Sequence, residues 1–176
     1  LNATVKEIAI TEQLSFDNST LVIDGENNRV GIGTASPSYK LSVSDDMSVS
    51  GRVHIDDGTN TFVGHLAGSN TTNTSANSTA LGYLSLWKNI SSANNTAIGF
   101  YSMRERTNGE NNIAIGYYSQ YNNQGNNSLS LGDFTLFATT GWDNVAFGYS
   151  AMRFTTTGRR NVGIGSESLI NNSTGQ

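Results

Sequence analysis

Apolar and polar positions alternate in short bursts along this chain, and seven of the bursts close on a glycine. They read Asn60-Thr61-Phe62-Val63-Gly64, Ser78-Thr79-Ala80-Leu81-Gly82, Asn95-Thr96-Ala97-Ile98-Gly99, Asn112-Ile113-Ala114-Ile115-Gly116, Ser128-Leu129-Ser130-Leu131-Gly132, Asn144-Val145-Ala146-Phe147-Gly148 and Asn161-Val162-Gly163-Ile164-Gly165. Period-two alternation predicts a strand in each burst. The closing glycines step by 18, 17, 17, 16, 16 and 17 residues, and a near-constant period predicts stacked copies of one unit. A unit this small cannot bury its own apolar face, so its neighbours must do so.

The column Val63, Leu81, Ile98, Ile115, Leu131, Phe147 and Ile164 is expected to line the interior, each side chain contributing roughly 1.5–3 kcal/mol when fully buried. The small residues on the other face of the same strands, Ala80, Ala97, Ala114, Ser130, Ala146 and Gly163, are expected to meet a partner chain at close range. A second glycine stands seven positions before the repeat glycine in the later copies, at Gly109, Gly125, Gly141 and Gly158. It suits a tight corner between strands, where positive φ is needed. Each repeat is therefore expected to hold two short strands and two turns.

Upstream, Val5–Ile10, Leu21–Ile23 and the alternating stretch 47–56 read as strands, with Asp24-Gly25 as a turn. The expected organisation is a β-rich connector over 1–58 and a repeat region over 59–176. Leu1 is not a natural start, and Gly175 repeats the corner glycine of earlier copies, so the chain is expected to belong to a longer parent.

The phrase Gly109-Glu110-Asn111-Asn112-Ile113-Ala114-Ile115-Gly116-Tyr117-Tyr118-Ser119 resembles the head repeat of trimeric autotransporter adhesins, over about residues 60 to 176. The resemblance implies a left-handed parallel β-roll in which three chains pack side by side, although these rungs run a few residues longer than that family's typical unit. A second stretch, Asn28-Arg29-Val30-Gly31-Ile32-Gly33-Thr34-Ala35-Ser36-Pro37 through Val43, resembles a connector common in bacteriophage tail fibres. That connector usually lies upstream of a self-cleaving chaperone of the endosialidase type. The expected fold is thus an all-β trimeric solenoid of about seven rungs, the repeat glycines Gly64, Gly82, Gly99, Gly116, Gly132, Gly148 and Gly165 serving turns and close packing.

Composition narrows the function. With 14% charged residues, 19 Gly and a single Pro, this is β-solenoid chemistry, and the scheduled apolar residues exclude disorder. A net charge of −4 argues against a nucleic-acid surface. The absence of Cys excludes disulfides and thiolate metal sites, and no apolar run is long enough to span a membrane. Gly31-Ile32-Gly33 and Gly163-Ile164-Gly165 lack the lysine and the following helix of a phosphate loop. His54 and His65 with Asp56 and Asp57 offer no convergent ligand set. Glu110, Asp133, Asp143 and Glu167 sit in different rungs without the paired geometry of a glycosidase. No catalytic residue, metal or cofactor is expected.

The candidate contact surface is a stripe five positions after each strand glycine: Trp87, Arg104, Tyr121, Phe137 and Arg153. Lys88, Arg106, Trp142, Phe154, Arg159 and Arg160 are expected beside it. Rings can stack on sugars and guanidinium forks can pair with glycan carboxylates or phosphates; alternatively, the ladder packs between chains. The expected role is a structural and receptor-binding segment of a homotrimeric virion tail fibre that attaches to a host surface glycan or protein. The alternatives are the head of a bacterial surface adhesin and a fragment of a polysaccharide-degrading tailspike.

Overall fold

The computed structural model describes residues 13–16, 20–45, 47, 60–70, 77–90 and 92–175. The described elements are all strands: β1 (Gln13–Phe16), β2 (Leu21–Asp24), β3 (Arg29–Ile32), β4 (Leu41–Val43), β5 (Thr61–Val63), β6 (Thr79–Leu81), β7 (Thr96–Ile98), β8 (Ile113–Ile115), β9 (Leu129–Leu131), β10 (Val145–Phe147) and β11 (Val162–Ile164). The chain divides into two compact units, Leu1–His54 and Ile55–Gln176. The strand expected at 5–10, the stretch 48–56 with His54 and Asp56, Asp57, and the boundary expected near 58 lie outside the described residues.

In the first unit β1, β2 and β3 pair antiparallel and β4 adds to β3 in parallel. The turn after β2 closes through Asp24, whose carboxylate accepts from the Asn27 backbone N–H at 3.0 Å and its amide at 2.9 Å. Those bonds hold the Asp24 carboxyl below the usual carboxylate range. Parallel β3 and β4 cannot be joined by a hairpin, and the Gly33–Lys40 connection crosses over between them. Its Pro37 is buried, with its carbonyl accepting from Arg29 Nη1 at 3.0 Å.

The second unit is a parallel β-solenoid. Strands β5 to β11 pair in sequence order, each three residues long, so the seven strands bound six complete turns. The repeat glycines adopt φ between 113 and 136°. A Cβ on any from Gly64 to Gly148 would lie 2.4–2.8 Å from the next repeat glycine's carbonyl oxygen. Close rung spacing therefore excludes every side chain there.

The inside and outside of the sheet are the reverse of the expectation. Ala80, Ala97, Ala114, Ser130 and Ala146 are fully buried within the roll, and Gly163 is buried there too, so the small column is not free to meet a partner. Val63, Leu81, Leu131, Phe147 and Ile164 point outward, 37% to 72% exposed, with Ile98 and Ile115 half-buried beside them. Room decides the matter. Leu86, Met103, Leu136 and Met152, four positions after each glycine, are fully buried and fill a cavity one side chain deep. Opposite them there is room only for small groups, alanine or serine in most rungs and glycine at 163, where an added Cβ would lie 2.8 Å from Met152 Cγ.

The second strand expected in each rung is absent among the described residues. The return half is a run of turns, with left-handed residues at Leu84, Tyr101, Tyr118, Phe134 and Ser150 and again at Leu86, Met103, Gln120, Leu136 and Met152. Their backbones still bond rung to rung, as from Met103 N–H to Ser119 C=O at 3.0 Å. The corner glycines also work differently from expectation. Gly109 has positive φ, but Gly125 and Gly141 are required because a Cβ would lie 1.8 Å from the next corner carbonyl.

Buried polar ladders fix the remaining corner. Asn112 Oδ1 accepts from Ser128 N–H at 2.9 Å, Asn95 Oδ1 from Asn112 N–H at 3.0 Å, and Asn144 Oδ1 from Asn161 N–H at 3.1 Å. This is why the repeat phrase begins with Asn or Ser. Next to it an exposed ladder runs from Asn94 to Asn111 to Asn127 to Asp143, at 3.1, 3.2 and 3.1 Å. All four are left-handed, a conformation that Asn and Asp tolerate well.

Candidate functional site

Two outward surfaces of the solenoid carry chemistry. The first is the sheet face just described, where the outward column continues into a row of rings one position after the glycines. His65, Tyr83, Phe100 and Tyr117 stack with centroids 5.5, 5.1 and 5.4 Å apart. Tyr83, Phe100 and Tyr117 remain exposed, as does Tyr149 farther along. The face is thus largely apolar and aromatic along the solenoid, with Asp133 interrupting the row of rings.

The second is the flank stripe, which the structure brings together as the spacing predicts. Tyr121 and Phe137 stack at 5.1 Å with planes 8° apart. The Arg104 guanidinium lies 4.9 Å from the Trp87 ring and 6.0 Å from Tyr121, and its Nη1 donates to the Tyr121 hydroxyl at 2.9 Å. Glu105 pairs with both Arg104 and Lys88. Desolvation works against the Arg104 charge, but the Tyr121 hydroxyl and the Glu105 carboxylate outweigh it and hold the guanidinium above its ordinary pKa. Arg153 covers Phe134 at 4.7 Å, Phe137 at 5.6 Å and Phe154 at 5.0 Å. Tyr118 joins the two rows, stacking on Tyr121 and Phe134; burial, and then the neighbouring Tyr117, push its phenol upward.

In this arrangement the ring faces are turned toward one another along the solenoid. The stripe braces successive rungs.

No family model, curated protein or solved structure matches this chain. Function must be argued from the surface itself.

Four residues placed beside the stripe by sequence, Arg106, Trp142, Arg159 and Arg160, lie elsewhere. Arg106 is fully buried in the roll interior, its Nη2 donating to Gly125 C=O at 2.6 Å and its Nε to Gly109 C=O at 3.3 Å. Its Nη1 reaches Gln120 Oε1 at 3.4 Å, and Gln120 is itself buried where other rungs carry Leu or Met. Burial lowers the Arg106 pKa to about 9, which leaves it charged at neutral pH. Asn123 Nδ2 donates to the same Gln120 oxygen, and the buried Ser119 and Ser130 hydroxyls pair with each other, so the core splits into two apolar clusters around a hydrogen-bonded layer. The signal was present in the sequence: Gln120 breaks an otherwise apolar column.

Trp142 stands ten positions after Gly132 on the corner preceding a strand, exposed, with Arg159 and Arg160 5.3 and 5.2 Å from its ring centroid. His65 is exposed and stacked on Tyr83, and no metal-binding group of three His, Cys, Asp or Glu occurs among the described residues. No described helix is long and apolar enough to cross a membrane.

Proposed function

We propose that this chain is a segment of a homotrimeric fibre of the phage tail-fibre kind, which carries attachment to a host cell surface. The observation that carries the reading is the outward face of β5–β11. Val63, Leu81, Ile113, Leu131, Phe147, Val162 and Ile164 are all exposed there, flanked by exposed Tyr83, Phe100, Tyr117 and Tyr149. Soluble monomers rarely leave so long an apolar surface in water. Three copies closing around a threefold axis cover such faces at once, and closed symmetry leaves no face free to propagate. The interface in this reading is the Val/Ile/Leu column, and the alanines serve each chain's own interior.

The connector-like stretch 28–43 favours the fibre over the adhesin head, whose repeat phrase the chain shares. Neither surface brings together a nucleophile with its base or two facing carboxylates, so the proposed role is binding and spacing rather than catalysis.

The test is the mass in solution, by sedimentation equilibrium across a wide concentration range. The expected value is three times the 18.8 kDa chain. A monomeric mass throughout overturns the reading. Ile98→Asp with Ile115→Asp is expected to yield monomers that keep their β-signature, because both side chains lie on the outer face.

A further inference from the structure

The flank stripe holds two arginines at the same offset, five positions after Gly99 and after Gly148, and only one of them is paired. Arg104 meets the carboxylate of Glu105 and the hydroxyl of Tyr121. Arg153 has neither. Phe154 stands where the first rung has Glu105, and Ile170, one rung on, stands where it has Tyr121. Among the described residues no hydrogen bond or ion pair engages Arg153, and its Nε is shut away from water without an acceptor. What it touches is aromatic, the rings of Phe134, Phe137 and Phe154. A cation–π contact consumes no N–H, so the terminal amino groups, which are not enclosed, remain for an acceptor from outside. The flanking carboxylates, Asp133 in the preceding rung and Glu167 in the following one, form no ion pair with it; Asp133 accepts from Tyr117 N–H at 2.9 Å instead. Their charges leave room for one anionic group beside Arg153 and repel a polyanion.

The paired rung shows what the unpaired one lacks: a carboxylate and a hydroxyl on one guanidinium. A uronate sugar carries both in a single ring. Phe154, 45% exposed, offers apolar surface beside the guanidinium for the sugar's C–H face. Ala138, whose N–H donates to Arg153 C=O at 3.4 Å, opens a shallow groove of about 190 Å³ lined also by Asn122, Gln124, Thr139, Thr140 and Thr156. Thr140 Oγ1 donates to Thr156 C=O at 2.9 Å and keeps its lone pairs for a sugar hydroxyl. Asn122 is exposed; its Oδ1 accepts from Gln124 Nε2 at 3.0 Å, and its amide N–H groups have no partner among the described residues.

We infer that Arg153 and Phe154 form a binding site for a single uronate unit of a surface glycan, with the carboxylate on the guanidinium and the sugar hydroxyls along the threonine-lined groove. The site rests on the attachment reading above but not on the trimer, since all of its residues belong to one chain.

The experiment is titration of the full chain with methyl α-D-galacturonate, methyl α-D-galactoside and acetate, followed by saturation-transfer NMR. Saturable binding of the galacturonate is expected, with the galactoside and acetate each at least about tenfold weaker, as the loss of one charge-assisted bond or of the sugar contacts would give. Arg153→Met lowers galacturonate affinity about tenfold. Phe154→Glu, which gives Arg153 the in-chain partner that Arg104 has, lowers it equally while the native mass and the unfolding midpoint stay unchanged. Equal binding of the galactoside, equal binding of acetate, no binding of the galacturonate, or indifference to Phe154→Glu each overturns the site. A trimer that ignores the galacturonate removes this site alone, and a monomer that binds it through Arg153 removes the trimer alone.

Discussion

At the scale of single residues, the fold depends on where a methyl group can go. Gly116 has φ 136° and an added Cβ would sit 2.4 Å from the Gly132 carbonyl oxygen, whereas Gly165 has φ 113° and nothing within 4 Å. Gly116→Ala is expected to cost at least about 3 kcal/mol and Gly165→Ala about 1–2 kcal/mol, from dihedral strain alone; urea unfolding of the two variants measures the difference. Ala114, fully buried against the Leu86–Met103 cluster, tests the orientation of the sheet. Ala114→Phe should destabilise the fold of each chain by roughly 1–3 kcal/mol or more, seen as a lower unfolding midpoint even under conditions where chains are dissociated. Arg106 is a third case. Arg106→Met removes the guanidinium donor from the Gly125 carbonyl, at about 1–3 kcal/mol for that buried acceptor, whereas the Gly109 carbonyl keeps the Asn95 amide. Arg106→Asn, the residue at the equivalent Asn89 and Asn123, should cost less, and the same unfolding series ranks the two.

At the scale of the element, one rung is a three-residue strand, a run of turns and an asparagine corner. The buried corner ladder is worth more than the exposed one beside it. Asn112→Ala removes the acceptor of Ser128 N–H and a donor to Glu110 C=O, and should cost roughly 2–3 kcal/mol; Asn94→Gly on the exposed ladder, which keeps the left-handed backbone accessible, should stay within about 0.5 kcal/mol. Thermal unfolding of both variants decides between them. The strands themselves were legible, because each period-two burst ends on a glycine whose spacing the stack requires. Their orientation was not. Alternation separates two faces without saying which is inward, and large apolar side chains ordinarily point inward. Here the interior was already taken by Leu86, Met103, Leu136 and Met152, residues whose role depends on left-handed turns that no short-range pattern announces. The stripe Trp87, Arg104, Tyr121, Phe137, Arg153 was legible for the opposite reason: equal offsets from a repeat glycine must stack. Trp142 fell outside it because its offset differs.

At the scale of the whole repeat unit, the same hydrogen bonds that hold neighbouring strands together run along the solenoid axis, and this orientation decides how the unit answers a pull. Tension applied to the C-terminal end along that axis loads the β11 bonds before those of β10, and those before β9, so the bonds open in succession instead of sharing the load. Each rung of 16–18 residues would then be surrendered separately, lengthening the chain by roughly 50–60 Å at fully extended spacing. Such an element behaves as a ratcheted tether: it absorbs a jerk in small increments and rewinds from a template that is still folded.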